Sequence, residues 1–352
     1  MRRPVARQTG VDWRTMILPT ALVLFAGLLL TSGCRSGQGV SQTDSSKALS
    51  IPVSAHPKVR LLTDRIFQRT PERLARGHYL VNGIGECFAC HSPFDLNAPG
   101  WPPIPGKEGS GFNFSRWVAP NLTSDRETGI GNWTDDMLAR AIREGVGHDG
   151  HLLDPTIMPY EFYRSMSDED LASIIVYLRS IEPIRNALPT MRTRENIVAP
   201  YAIPINAPVP QPDASTAVKR GAYLAQLGAC QWCHTLRDGN RVPLPELEFG
   251  GGELHDSPFA QASCANLTPD PSGINYYDEA QFLRTMHTGK VGARKISPIM
   301  PWWFFGQMND DDLKAIFAYL RTLKPVQHRV DNTEPIAYCR ICKRKHHGGA
   351  LN

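Results

Sequence analysis

At 352 residues the chain is long for one domain, and the formal net charge of +4 forms no basic stripe that would suit a nucleic acid. Much of that charge sits in an arginine-bearing N-terminus and a basic tail. The body between them is left mildly acidic, which reads first as a solvated surface and only second as a docking field for basic partners.

Arg2, Arg3, Arg7 and Arg14 precede an apolar run from Met16 to Leu30 and then Thr31-Ser32-Gly33-Cys34. That is the layout of a secretory signal peptide over residues 1–33, and the run is too short for a comfortable membrane span. A cysteine after small residues resembles a bacterial lipoprotein cleavage site. The expectation is lipidation at Cys34, although Thr31 stands where that motif usually has Leu. Residues 34–65 then read as a tether to the periplasmic side of a membrane.

The first predicted helix begins near Pro71, with Glu72 in its first turn and Leu74, Tyr79 and Leu80 leading to Cys87-Phe88-Ala89-Cys90-His91. A second runs from Thr134 as N-cap to Gly145, and a third is capped by Ser167 and stops before Pro183. The whole set then repeats. Helices are expected over Ala217–Leu227, Asp278–Gly289 and from Asn309 to before Pro325, with Cys230-Gln231-Trp232-Cys233-His234 following the first of them. Shorter matches reinforce the duplication. Arg76-Gly77 pairs with Arg220-Gly221, Asn121-Leu122-Thr123 with Asn266-Leu267-Thr268, and Asp168-Glu169-Asp170-Leu171 with Asp310-Asp311-Asp312-Leu313. No stretch shows strand alternation, so the predicted fold is all-α, with domain 1 at 66–183, a Pro-rich linker at 184–213 and domain 2 at 214–325.

Cys-x-x-Cys-His is the pattern for covalent haem attachment. Two thiols one helical turn apart add to the vinyl groups, and the adjoining imidazole becomes the proximal iron ligand. Met158-Pro159 follows His91 by 67 residues and Met300-Pro301 follows His234 by 66, offering a thioether for the opposite face of each iron. A four-cysteine zinc site is a competing reading, but its pairs normally lie ~15–20 residues apart, and His91 and His234 would go unexplained. A thioredoxin-like pair lacks its βαβ setting. Met166 and Met308 also recur in register, as core fillers at helix starts. His148, His151, His255 and His287 are alternative iron ligands that do not recur in register.

These residues resemble the class I cytochrome c family, and more closely the tandem cytochrome domains of electron-transfer subunits serving membrane-bound alcohol and aldehyde dehydrogenases. The resemblance covers about residues 71–325. It implies that each half wraps one covalently bound haem c, with thioethers at Cys87, Cys90, Cys230 and Cys233, proximal ligands His91 and His234, and distal ligands Met158 and Met300. The implied function is electron transfer from a dehydrogenase donor to a respiratory acceptor, as a carrier rather than an enzyme. The alternative is a dihaem enzyme of peroxidase or thiosulfate dehydrogenase type with one catalytic haem. Those subunits usually carry three haem domains, whereas this chain has room for two.

Two features stand outside the repeat. Cys264 has no counterpart and lies two residues before Asn266, which places it near the second haem or in the core. The tail at 326–352 holds Cys339-Arg340-Ile341-Cys342-Lys343, one residue away from a third attachment motif. It is too short to enclose a haem, so a third haem at Cys339/Cys342 is not expected. A disulfide or an unstructured tail is preferred to a metal site using His346 or His347.

Overall fold

The computed structural model describes residues 59–189, 202–238, 242–257 and 259–352. The signal-peptide segment, Cys34 and most of the expected tether lie outside the described residues, as do residues 190–201 of the linker.

Among the described residues each half carries five α-helices in the same order. The first half has α1 (Pro71–Asn82), α2 (Cys87–His91), α3 (Asp135–Glu144), α4 (Tyr160–Tyr163) and α5 (Asp168–Leu178). The second has α6 (Ala217–Leu227), α7 (Cys230–His234), α8 (Glu279–Thr288), α9 (Trp302–Phe305) and α10 (Asp310–Leu320). The longer ones start where side-chain oxygens satisfy the first orphan N–H groups: Thr70, Thr134, Ser167, Thr216, Asp278 and Asn309 all accept from the backbone three residues on. α3 and α8 end on Gly145 and Gly289 at φ 66° and 63°, the left-handed turn that stops a helix. The short α4 and α9, which the sequence pattern did not reveal, start directly after Pro159 and Pro301.

The first and last long helices of each half pack against one another, and the repeated glycine makes the crossing possible. A Cβ placed on Gly77 would lie 2.0 Å from the carbonyl oxygen of Ser173, and one on Gly221 would lie 1.8 Å from that of Ala315. No side chain fits there. Around each crossing Leu80, Leu171, Ile175 and Leu313 are fully buried, each worth about 1.5–3 kcal/mol of apolar burial. The described residues form one compact unit, and their main apolar core runs through both halves, with Ile84 and Phe88 sharing it with Leu224, Leu227 and Phe305, while a smaller cluster of Leu236, Leu247, Val326, Cys339 and Cys342 stands apart.

The junction between halves is reciprocal. Tyr79 of α1 donates to Asp312 of α10 at 2.6 Å, and Tyr223 of α6 donates to Asp170 of α5 at 2.7 Å. Each of these aspartates is also held by the arginine of its own half, Arg220 to Asp312 at 2.6 Å and Arg76 to Asp170 at 2.7 Å. Arg76-Gly77 and Tyr79, like Arg220-Gly221 and Tyr223, thus form a single unit that crosses one helix and reaches across to the other half.

The structure is helix-rich, but the expectation of an all-α chain needs correction. Four two-stranded antiparallel hairpins are present among the described residues: β1 (Phe112–Asn113) with β2 (Val118–Ala119), β3 (Leu254–Asp256) with β4 (Gln261–Ser263), β5 (Lys290–Val291) with β6 (Arg294–Lys295), and β7 (Ile336–Tyr338) with β8 (Lys345–His347). Strands of two or three residues carry no readable alternation, because turn geometry sets them rather than a half-buried face. The tail is likewise folded rather than unstructured, since β7 and β8 belong to it. No helix among the described residues is long and apolar enough to cross a membrane.

Candidate cofactor site

α2 and α7 are single turns launched from residues in the left-handed region, Glu86 at φ 40° and Ala229 at φ 47°. A side-chain-bearing residue there costs about 1–2 kcal/mol, and its appearance at the same point of both halves marks the turn as a required geometry. The turns deliver Cys87, Cys90 and His91 from one half, and Cys230, Cys233 and His234 from the other, to the wall of one continuous cavity of about 1890 Å³. Met158 and Met300 line the same cavity. Its volume is nearly twice the ~1,000 Å³ upper end of an ordinary small-ligand pocket, and its walls are largely apolar.

The imidazoles are aimed by equivalent loops. His91 Nδ1 lies 2.7 Å from Pro120 O and His234 Nδ1 lies 2.7 Å from Ala265 O. A carbonyl only accepts, so each Nδ1 carries the ring proton and each Nε2 keeps its lone pair for a metal. The next residue in each loop locks that carbonyl in place. Asn121 Oδ1 accepts from Thr123 N and Oγ1 at 2.9 and 2.7 Å while its Nδ2 donates to Ile184 O at 2.7 Å. Asn266 Oδ1 accepts from Thr268 N and Oγ1 at the same distances while its Nδ2 donates to Val326 O at 2.7 Å and His328 O at 3.0 Å. The Asn-Leu-Thr repeat is therefore the latch that orients the histidine.

Burial keeps these groups neutral. It depresses the pKa of His91, and that of His234 to about 4, overriding their carbonyl partners. It pushes the thiols of Cys87, Cys90 and Cys230 up to about 12. The Cys264 thiol, together with burial, pushes Cys233 up as well. The four cysteines do not gather as a zinc site. Among the described residues, ligating atoms converge at only two places, and neither contains Cys87, Cys90 or Cys230.

The competing iron ligands are mostly engaged elsewhere. His148 stacks on Trp133 and His151 pairs with Asp149. His287 bonds Gly306 O and Asp310, each at 2.9 Å. His255 does line the cavity, grouped with Cys233 and Cys264 so that their ligating atoms lie within 4.8 Å of one another. Cys264 thus sits beside the second attachment segment. Met308 is buried in the core at 3% exposure, whereas Met166, 1% exposed, also reaches the cavity wall. Sequence reading missed Glu86, whose carboxyl is pushed up to about 8 by burial at the cavity wall. It also missed the cations that border the cavity, among them Arg116, Arg294 and Arg329, which suit the carboxylates of a porphyrin-type group. Single exposed cations give no periodic or motif signal.

Paired thiols, a carbonyl-oriented imidazole and a methionine around an apolar cavity fit a covalently held haem, the arrangement used by c-type cytochromes. No protein-family model matches the chain. It is 29% identical over 70% of its length to the gluconate 2-dehydrogenase cytochrome c subunit of Pantoea cypripedii, covering 59% of that protein. To one of the subunits of nicotinate dehydrogenase from Pseudomonas putida it is 33% identical over 71% of its length, covering 21% of the relative. To a dihaem c-type cytochrome of Cereibacter sphaeroides it is 26% identical over 79% of its length, covering 93% of the relative. The chain is similar to dihaem cytochrome c electron-transfer subunits, as its duplicated motifs implied. It spans little more than half of the first of these relatives and about a fifth of the second.

Proposed function

We propose that the chain holds two covalent haem c groups and relays electrons from a dehydrogenase to a respiratory acceptor on the periplasmic side of a bacterial membrane. In this reading Cys87 and Cys90, and Cys230 and Cys233, form the thioethers, His91 and His234 are the proximal ligands, and Met158 and Met300 are the distal ligands. Bound there, haem supplies reversible one-electron chemistry at iron, and Met/His ligation favours a high potential. The protein's own residues do the rest. Asn121 and Asn266 hold the carbonyls that aim the imidazoles, and the largely apolar walls supply the surface against which a haem would pack. The Tyr79–Asp312 and Tyr223–Asp170 bonds hold the two cavity walls together. Residues 66–183 and 214–325 act as the two cytochrome domains, and acylated Cys34 would anchor the exported chain.

One observation carries this reading: both attachment segments face a single cavity that has room for two large groups. Electrons entering one half would then reach the other through the shared cavity. A dihaem enzyme of peroxidase or thiosulfate dehydrogenase type would need one half without its distal ligand, and Met158 and Met300 both line the cavity. The test is the mass of the purified holoprotein with a redox titration. Two covalent haem additions and reduction of both by one donor support a relay. A single addition, or one haem that no donor reduces, sinks it.

A further inference from the structure

The tail lines part of the cavity through residues such as Arg329 and Asn332 but brings no thiol, imidazole or thioether to it, and it gathers a second set of ligating atoms elsewhere. Cys339 and Cys342 occupy the tight connection between β7 and β8, with Lys343 in the left-handed region at φ 59°. Cys339 N donates to Arg344 O at 2.8 Å and Lys343 N to Cys339 O at 3.0 Å, closing the loop. His346 lies on β8, and His328 lies on the segment arriving from α10. The ligating atoms of His328, Cys339, Cys342 and His346 all lie within 4.8 Å of one another, and the four residues are buried.

The hydrogen bonds around the group point its lone pairs inward. His328 Nδ1 lies 2.8 Å from Gly250 O and His346 Nδ1 lies 2.9 Å from His347 O, so both rings are protonated at Nδ1 and keep a lone pair at Nε2. His328 Nε2 faces Cys339 Sγ at 3.5 Å. His346 Nε2 is buried with no hydrogen-bond partner, which costs about 1–3 kcal/mol unless something accepts its lone pair. Cys342 N donates to Cys339 Sγ at 3.4 Å, the outer contact expected of a metal-bound thiolate.

We propose that His328, Cys339, Cys342 and His346 bind one structural Zn²⁺. The two thiols release their protons to solvent and form S–Zn bonds, the two imidazoles donate Nε2, and the site ends with no net charge and no change of oxidation state. Zn–N and Zn–S bonds of ~2.0–2.3 Å in a tetrahedron place ligand atoms ~3.3–3.8 Å apart, and the 3.5 Å between His328 Nε2 and Cys339 Sγ lies in that range. Two sulfurs and two imidazoles suit Zn²⁺ over the oxygen-seeking Ca²⁺ or Mg²⁺, and four protein ligands leave no open position for catalysis.

The ion's role is to staple the second half. Arg344 donates to Arg237 O and pairs with Glu253 at 3.3 Å, and Ser263 meets His347 Nδ1 at 2.9 Å. The clamped stretch includes Gly250, the acceptor of His328, and Gly251, whose N–H donates to His234 O at 2.8 Å. The zinc therefore fixes the wall behind His234.

Elemental analysis of the full holoprotein, with X-ray absorption at the zinc edge, tests this without relying on the haem reading, because iron is counted separately. One zinc per chain with two sulfur and two nitrogen neighbours is expected. Cys342→Ser and His346→Ala should each lower zinc occupancy at least tenfold in dilute chelator while leaving iron per chain unchanged. Zinc with only oxygen and nitrogen neighbours overturns the proposal, as does full zinc retention in His346→Ala. So does a wild-type chain whose Cys339 and Cys342 are oxidised to each other and which, once reduced, takes up no Zn²⁺.

Discussion

In the first half, Asn121 ties the histidine-aiming loop to Ile184 O, and the outer surface is braced by Arg60, which reaches from the N-terminal segment to Asp136 and Glu144 of α3 at 2.6 and 2.7 Å. In the second half, Asn266 ties the same loop to Val326 O and His328 O, and the brace is the folded tail with its Cys and His cluster. The inner geometry repeats to within a tenth of an ångström while the outer support differs. Orientation of the imidazole is thus the constraint that both halves satisfy, and the way each shell is held is free to differ.

Replacing both thiols of one attachment segment should have the largest effect. Cys87→Ser with Cys90→Ser, or Cys230→Ser with Cys233→Ser, should each halve the covalent haem count measured by pyridine haemochrome. If either pair removed both haems, the halves could not be assembling as separate sites. Next come the crossing glycines. Gly77→Ala and Gly221→Ala each force a Cβ into a backbone carbonyl and should cost on the order of 3 kcal/mol in denaturant unfolding, by similar amounts in the two halves.

Smaller still are the reciprocal tyrosines. Tyr79→Phe and Tyr223→Phe each leave a buried aspartate short of a donor, a loss of about 1.5–3 kcal/mol, smaller at Asp312, which keeps a bond from Asn309 Nδ2. The smallest effect sharpens the contrast between the braces. Burial raises the pKa of Asp136, but Arg60 and the Thr63 donors outweigh it and hold the group below its ordinary 3.8. A carboxylate with a depressed folded pKa stabilises the fold above the unfolded value and loses that contribution as pH falls through the folded one. Arg60→Ala should therefore flatten the fall in melting temperature below about pH 4, relative to wild type.

Much of the framework was legible in the chain. Thr134 with Gly145, Asp278 with Gly289, and the Ser167 and Asn309 caps bound their helices where the sequence placed them, because capping is local chemistry. The two Cys-x-x-Cys-His patterns were equally plain, and the structure brings their cysteines and histidines with Met158 and Met300 to one cavity. Three things were not legible. The hairpins are too short for a periodic signal. The junction between halves is made by Tyr79 and Tyr223 reaching across it, over 233 and 53 residues of sequence respectively. The sequence favoured a disulfide or an unstructured tail over a metal site using His346 or His347, because His328 joins the cluster from 11 residues before Cys339, while His347 bonds Ser263. Ligand spacing within one segment could not reveal a fourth ligand delivered by the preceding one.

The most direct measurement is the optical spectrum of the purified protein, oxidised and reduced, with a haemochrome count and a scan for the weak near-infrared band of methionine bound to ferric iron. Two haems per chain, with that band at the intensity of two methionine-ligated irons and lost by half in Met158→Ala and in Met300→Ala, is the expected result. A single haem, or high-spin iron that shifts on adding peroxide, would contradict a pair of equivalent relay sites in one cavity.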